Sequence, residues 1–98
     1  MSWIISVAPT ARDQLRDFDP SLLQEVIEHV EAIAESQGFG LALASGDPPL
    51  GGLWMHQYES SIIERLVVTL YFADVAGRPG RLALSVVRHH SMPEELAK

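Results

Sequence analysis

Basic side chains and histidines, which can bind phosphate and move protons near neutral pH, are concentrated in the second half of the sequence. Residues 1–50 contain two arginines against eight acidic residues, whereas residues 51–98 contain five of the seven basic residues and three of the four histidines. Any anion-binding surface is therefore expected in the second half. The net charge of −6, with its acidic first half, argues against non-specific binding to nucleic acid.

One arginine lies in a segment that alternates between apolar and polar residues. A strand is predicted from Ile62 to Ala73, and its period of two places Leu66 and Phe72 on the face expected to meet the helices. The other face carries an arginine, a valine, a threonine and a tyrosine: Arg65, Val67, Thr69 and Tyr71. A binding site could be built on this second face. Tyr71 could stack on a base there, but the favoured interpretation is an ordinary aromatic of a sheet face.

A second group of candidate residues ends the next predicted strand, which runs from Leu82 to His89. Arg88 and His89 are adjacent, so they point to opposite faces and at most one shares the face of Arg65. A zinc site formed by His89, His90 and His56 is disfavoured because adjacent histidines diverge in a strand. With no cysteine in the chain, a metal would need histidine and carboxylate ligands, and we predict neither a metal nor a cofactor.

The other two histidines are better explained by structure. Alternation along the predicted strand Leu53–Tyr58 places His56 with Trp54 and Tyr58, which favours a buried or half-buried histidine. His29 follows Glu25 by four residues on a helix face, and a solvated pair is the favoured interpretation.

The elements that must position these residues predict an α+β fold. Trp3–Val7 is a short run of β-formers, and a short amphipathic helix from Pro9 ends near Asp17. Asp19 and Pro20 begin a second helix, which Gly38 closes. Within its apolar stripe we expect four residues to be nearly buried: Leu23, Val26, Ile27 and Val30. Residues 38–52 hold five of the seven glycines and are predicted to be a loop. The expected fold is thus an N-terminal strand, a helical hairpin and an antiparallel three-strand meander, with a final loop or helical turn beginning near Pro93.

Length and composition limit the class of protein. Ninety-eight residues are the size of one compact domain, 1–98, and 47% hydrophobic residues are more than a disordered segment carries. No apolar run approaches the ~18 residues that a membrane span needs, and the N-terminus lacks the basic flank of a signal peptide. A cytoplasmic protein is expected.

Four short motifs, in this order of elements, make the chain resemble the RelE/ParE superfamily of bacterial toxins, and within it the HigB-like branch. They are Gly52-Leu53-Trp54, Arg65-Leu66-Val67-Val68, Val87-Arg88-His89-His90 and Pro93-Glu94-Glu95-Leu96-Ala97. The resemblance implies a RelE-like β-α-α-β-β-β fold. It also implies the toxin component of a toxin–antitoxin system, with metal-independent cleavage of messenger RNA on the ribosome, and an antitoxin protein as partner.

Under that resemblance, Arg65 and Arg88 are expected to hold phosphate, while His89 or His90 moves protons. Cleavage by transphosphorylation needs a base for the 2′-hydroxyl, an acid for the leaving oxygen and positive charge at the phosphate. Arg65→Ala is then expected to relieve growth arrest. The alternative role for Arg65 is a solvated arginine or a partner of Glu59 or Glu64, and the alternative for both histidines is an exposed strand end.

A rival function of another class is a non-catalytic interaction module of the same fold. It would be a ParE-like inhibitor of DNA gyrase, or a degenerate toxin that retains only antitoxin binding. Met55-His56-Gln57 stands where the HigB-like pattern has Glu-Leu-Arg, and the chain is acidic, which both favour this rival. Whether the protein is an enzyme is left open by the sequence, and so is a homodimer.

Overall fold

Two helices connect the first strand of a five-stranded mixed sheet to the other four strands. The structure, a computed structural model, describes residues 3–47, 51–75, 77–78 and 80–92. Within them the elements are, in chain order, β1 Ile4–Val7, α1 Pro9–Arg16, α2 Pro20–Glu35, β2 Ala42–Ser45, β3 Leu53–Glu59, β4 Leu66–Asp74 and β5 Arg81–Ser91. The predicted α+β class and the order of strand, helical hairpin and meander are confirmed. The helical turn predicted near Pro93 lies outside the described residues.

The sheet has the strand order β1-β5-β4-β3-β2. Strands β3 to β5 pair as antiparallel neighbours, as their short connections predict, and β1 joins the meander by pairing parallel to β5. Strand β2 adds an antiparallel neighbour to β3. Strand β2 was not predicted. It is a four-residue edge strand with every residue exposed, within a segment whose glycines indicate a loop.

Helix α2 begins and ends where the sequence predicts. The Asp19 carboxylate accepts a hydrogen bond from the backbone N–H of Ser21 at 2.9 Å, and Pro20 occupies the first turn, where no N–H is needed. At the other end the N–H of Gly38 donates to the Ile33 carbonyl at 2.9 Å, with Gly38 at a φ of +85°. The left-handed glycine thus satisfies one of the carbonyls that a helix C-terminus leaves free.

Gly38→Ala is expected to lower the free energy of unfolding by about 2 kcal/mol. A Cβ at Gly38 would clash with the Trp3 indole, in addition to the ~1 kcal/mol cost of a positive φ. Gly40→Ala is the matched control, since Gly40 has a φ of +92° but open space around its Cα. Denaturant unfolding measures the free energy of unfolding of both variants, and the difference between them reports the clash with Trp3. Equal losses of stability would show that this clash does not destabilise the fold.

The core lies between the helices and one face of the sheet. Its largest fully buried side chains are Phe72, Leu70, Leu84, Val26 and Val68. Leu66 and Phe72 are buried at 6% and 0% exposure while Tyr71 is partly exposed, so the predicted face assignment is confirmed from Leu66 onward. Among the described residues, no helix is long and apolar enough to cross a membrane.

The predicted buried face of α2 is partly wrong. Val26 is buried, but Leu23 and Val30 are only half-buried, and Ile27 is 41% exposed. The residues of α2 that reach the interior are instead Leu22, Glu25, Val26 and Ile33. The helix is rotated about its axis relative to the expectation, because its apolar stripe is wider than the surface that the sheet covers.

The predicted start of the strand Ile62–Ala73 is also wrong. The segment from Ile62 to Arg65 is a turn, and β4 begins at Leu66. The Ser60 hydroxyl accepts hydrogen bonds from the N–H groups of Ile62 and Ile63 at 3.0 and 3.1 Å, and Arg65 has a positive φ of 60°. A serine that bonds to backbone groups two and three residues later stabilises a turn in place of a strand.

Strand β5 carries a β-bulge in its middle. Tyr71 pairs with Val86 but Phe72 pairs with Leu84, which leaves Ser85 as an extra residue. Leu82 and Leu84 face the core before the bulge, and Val87 faces the core after it. The residues that point inward therefore change from even to odd numbers along β5.

Candidate functional site

The face of β3, β4 and β5 that points away from the helices, here called the open face, has a polar end. Gln57 of β3 pairs with Thr69 of β4, which pairs with Arg88 of β5, so these three form a row across the sheet. The next row consists of Glu59, Val67 and His90. Paired residues share a face, so the register brings an amide, a carboxylate, a guanidinium and an imidazole together on the open face.

The first row is held by a hydrogen bond. The Gln57 side-chain nitrogen donates to the Thr69 hydroxyl at 3.0 Å, and Thr69 is only 5% exposed. Gln57 and Arg88, its neighbours on either side, are both exposed. The buried threonine thus fixes the amide beside the position where the guanidinium emerges.

Two of the four predicted site residues lie on the open face. Arg88 and His90 are exposed there, two residues apart on β5. His89 lies on the opposite face, with its ring edge-on to Phe18 at 5.5 Å between centroids. Arg88 and His89 therefore occupy opposite faces, as alternation predicts.

Arg65 belongs to the turn before β4, so its predicted strand alternation does not apply. Its carbonyl accepts a hydrogen bond from the N–H of Met92 at 2.9 Å, which places its backbone beside the end of β5, two residues past His90. Neither Glu59 nor Glu64 forms an ion pair with Arg65 in the part of the chain that the structure describes.

Arg88 and His89 also share a cleft. This cleft, of about 450 Å³, lies between α1 and the second half of β5, and Gln14 and Phe18 contribute to its walls. Strand β1 pairs with β5 only as far as Leu84, and beyond it the N–H of Val87 donates to the Gln14 side-chain oxygen at 2.7 Å. The second half of β5 is thus an edge of the sheet on which Gln14 satisfies one backbone group. The cleft beside α1 leaves this edge accessible to a ligand.

Gln57 and Glu59 were not predicted as site residues. Glu59 was considered only as an ion-pair partner of Arg65, and Gln57 only as part of a motif that departs from the HigB-like pattern. The pairing register of β3 with β4 brings them beside Arg88 and His90, and no local sequence signal specifies that register. Their polar side chains at alternating positions, opposite His56 and Tyr58, were the available sign.

A cluster of polar side chains is enclosed between α2 and β3. His29 Nδ1 lies 3.0 Å from His56 Nε2, and the His29 ring stacks on Tyr58 with 3.7 Å between centroids and 8° between planes.

Glu25 Oε2 accepts hydrogen bonds from the N–H and hydroxyl of Ser61, at 2.8 and 2.7 Å. The predicted solvated pair of Glu25 and His29 is therefore wrong, because Glu25 is buried at 6% exposure. His56 is half-buried, as its alternation with Trp54 and Tyr58 predicts.

The ionisation of this cluster follows from its contacts. Burial opposes the charge on Glu25, but the hydrogen bonds from Ser61 and the nearby His29 outweigh burial and hold the pKa of Glu25 below its ordinary value. Burial, together with the neighbouring His29, lowers the pKa of His56, despite a hydrogen bond to the Gly40 backbone that favours its protonated form. Burial and the Glu25 charge raise the pKa of Tyr58. In the contact between His29 Nδ1 and His56 Nε2, one nitrogen donates the hydrogen bond and the other accepts it.

Acidification is expected to destabilise the fold through His56. Since its pKa in the folded state lies below its ordinary value near 6.5, the unfolded chain binds more protons as pH falls past 6.5. Stability is then fully present above that pH and is lost as pH falls toward the folded pKa. Urea unfolding between pH 7.5 and 5 should show this loss, and His56→Gln should flatten it. His90→Gln, at an exposed position, should keep the wild-type slope, and an unchanged slope in His56→Gln would contradict the assignment.

The histidine and acidic side chains that the structure describes are dispersed and do not form a set of metal ligands. Within the described ranges, no three histidine or acidic side chains are grouped so that they could hold a metal ion. His56, which a zinc site with His89 and His90 would have needed, is hydrogen-bonded to His29. The open face itself presents a carboxylate, an imidazole and a guanidinium, those of Glu59, His90 and Arg88.

No known protein family matches this sequence, and a search of curated proteins gave no match.

Proposed function

We propose that this protein is the toxin component of a bacterial toxin–antitoxin system and cleaves messenger RNA on the ribosome. The observation that carries the proposal is the arrangement of Glu59, Arg88 and His90 at the polar end of the open face. The order of the elements and the motifs that resemble the HigB-like toxins support it. The proposed site lies on the face that no helix covers among the described residues, where a ribosome-bound RNA strand could reach it.

Each of the three residues has a role that its position suits. Glu59 and His90 flank Val67 from the two neighbouring strands, so their backbones are two inter-strand spacings, ~10 Å, apart. A phosphate between them would have a proton acceptor on one side and a proton donor on the other. Arg88 is adjacent to His90 on the same face and provides the positive charge for the phosphate.

The proposed reaction is transphosphorylation. The Glu59 carboxylate takes the proton of the ribose 2′-hydroxyl, and the 2′-oxygen attacks the phosphorus. The bond from phosphorus to the 5′-oxygen breaks, and protonated His90 gives its proton to that oxygen. The products are a 2′,3′-cyclic phosphate and a free 5′-hydroxyl, with no metal in the proton transfers. Arg65, whose backbone lies past the end of β5, would contact the next phosphate of the strand.

The test combines induced expression in a bacterial host with a purified assay. Growth arrest should be accompanied by new messenger RNA ends that carry 2′,3′-cyclic phosphates, and purified protein should produce the same ends only when ribosomes are present. The decisive outcome is the chemistry of the ends, since growth arrest alone would also follow from gyrase inhibition. Arrest with intact RNA would exclude RNA cleavage.

The second candidate function is the non-catalytic interaction module. It is favoured by the exposure of Glu59, Arg88 and His90, since each of them lies open to solvent on the open face. The net charge of −6 also disfavours binding to RNA without a second partner. A protein that is harmless on induction, with intact RNA and normal DNA supercoiling, would leave only this function, and loss of supercoiling would point to gyrase.

The antitoxin is expected to bind the open face with acidic side chains. The outer surface of α2 carries Glu28, Glu31 and Glu35, all exposed, and would repel an acidic segment, whereas Arg88 would attract one. Added salt should therefore weaken the complex, mainly through slower association. A complex whose acidic segment lies along α2, with Arg65 and Arg88 left free, would contradict this prediction and the assigned face.

A further inference from the structure

The helical hairpin leaves an apolar groove on the surface, on the side of α2 that turns away from the polar cluster. The groove has a volume of about 330 Å³ and is lined by Val7, Arg12, Leu15, Arg16, Leu23 and Ile27. Val7 and Ile27 are 37% and 41% exposed. Leu23 and Ile27 belong to the part of the wide apolar stripe of α2 that the core of this chain leaves uncovered, and Val7 of β1 and Leu15 of α1 lie beside them. Aliphatic side chains left exposed beside one another make this groove a candidate for burial against another chain.

The charges on the two sides of the groove have opposite signs. Arg12 and Arg16 of α1 are its only charged lining residues. On α2, Leu23 and Glu31 lie one turn before and one turn after Ile27, displaced by ~40° to opposite sides of it. Glu31 is exposed, and Glu28 lies further around the same side. Across the groove, the surface therefore runs from positive, through apolar, to negative.

We propose that this groove is a dimer interface that binds the same groove of a second copy of the chain. A two-fold axis along the groove would place the apolar residues of the copies against each other. It would also place the arginines of each copy opposite Glu31 and Glu28 of the other. A surface that is positive on one side and negative on the other is complementary to itself under this rotation, as an isologous contact requires.

Arg12 is the main cation of this interface. Among the described residues it forms no ion pair, whereas Arg16 already pairs with Asp13 at 3.4 Å. That pair is exposed on both sides, with about 70% of each side chain accessible, so it contributes little and can exchange partners. Arg12 has no such competitor and is free to meet a carboxylate of the second copy.

The test is the oligomeric state of the purified protein, measured by sedimentation equilibrium from micromolar to millimolar concentration. The wild type should dimerise, and Ile27→Asp should raise the dissociation constant at least tenfold, because it places a charge in the apolar centre. Ile62→Asp is the matched control, since Ile62 is an isoleucine 52% exposed outside the groove. Circular dichroism would show that both variants remain folded, which is expected at exposed positions.

A charge exchange tests the orientation of the two copies. Arg12→Glu should weaken the dimer about tenfold, and adding Glu31→Arg to the same chain should restore it, because both charges of each contact are then reversed. A wild type that is monomeric at millimolar concentration would overturn the proposal, and so would a dimer that Ile27→Asp leaves unchanged. Failure of the charge exchange to restore the dimer would overturn the two-fold arrangement. If the groove instead binds an acidic helix of another protein, the purified chain would be monomeric in this experiment.

Discussion

Arg88→Ala is expected to lower the rate of ribosome-dependent RNA cleavage by roughly 100-fold and to relieve growth arrest. A donor aimed at the charge that develops in a transition state typically contributes about 10²–10³ in rate, and Arg88 is the cation nearest to His90 on the open face. Arg88 is exposed, so its removal should leave the fold intact. Quantifying cyclic-phosphate RNA ends over time, with purified protein and ribosomes, measures the effect directly.

Arg81→Ala is the control that separates position from charge. Arg81 is exposed and lies on the same face and the same strand as Arg88, but seven residues earlier, about 20 Å away. Both variants remove one positive charge, so a general electrostatic effect on ribosome binding would change both rates equally. Equal losses of cleavage rate would show that Arg88 has no specific role in the site. A loss of rate confined to Arg88→Ala would support the phosphate contact.

Phe72→Ala is expected to lower the free energy of unfolding by about 3–5 kcal/mol, a large part of the total for a domain of this size. The Phe72 ring is fully buried at the centre of the sheet, so its loss removes transfer free energy and leaves a cavity. The adjacent Tyr71 lies on the open face and is partly exposed, and Tyr71→Ala should cost clearly less. Urea unfolding of both variants measures the difference, and a larger loss for Tyr71→Ala would mean that the two faces are exchanged.

The sequence predicted elements whose signals are local. Asp19, Pro20 and Gly38 determine the bounds of α2 through contacts within a few residues. The alternation of β4 likewise depends only on neighbouring positions. Local signals could not show which side of α2 meets the sheet, because Leu23 and Ile27 are as apolar as Leu22 and Val26. That choice is made by contacts with strands far along the chain, including the bonds from Ser61 to the Glu25 carboxylate.

The candidate site could be predicted only as a set of residue types. Arg88 and the two histidines were found from chemistry and resemblance, but their division between two faces depends on the geometry of β5. Glu59 was missed as a site residue because it is far from His90 in sequence. In the sheet, only strand β4 lies between the two residues. Strand β2 was missed because glycines and prolines dominate its surroundings, while its pairing with β3 is a long-range contact.

The extra residue at Ser85 decides which histidine belongs to the proposed site. Strand pairing without it would shift the phase of every later residue of β5 by one position. His89 would then emerge on the open face, and Arg88 and His90 would turn toward Phe18 and the helices. The identity of the proposed proton donor would thus be set by an insertion three residues before Arg88, at a position whose own side chain takes no part in the proposed reaction. In related chains, the length of this strand segment would predict the donor better than the presence of either histidine.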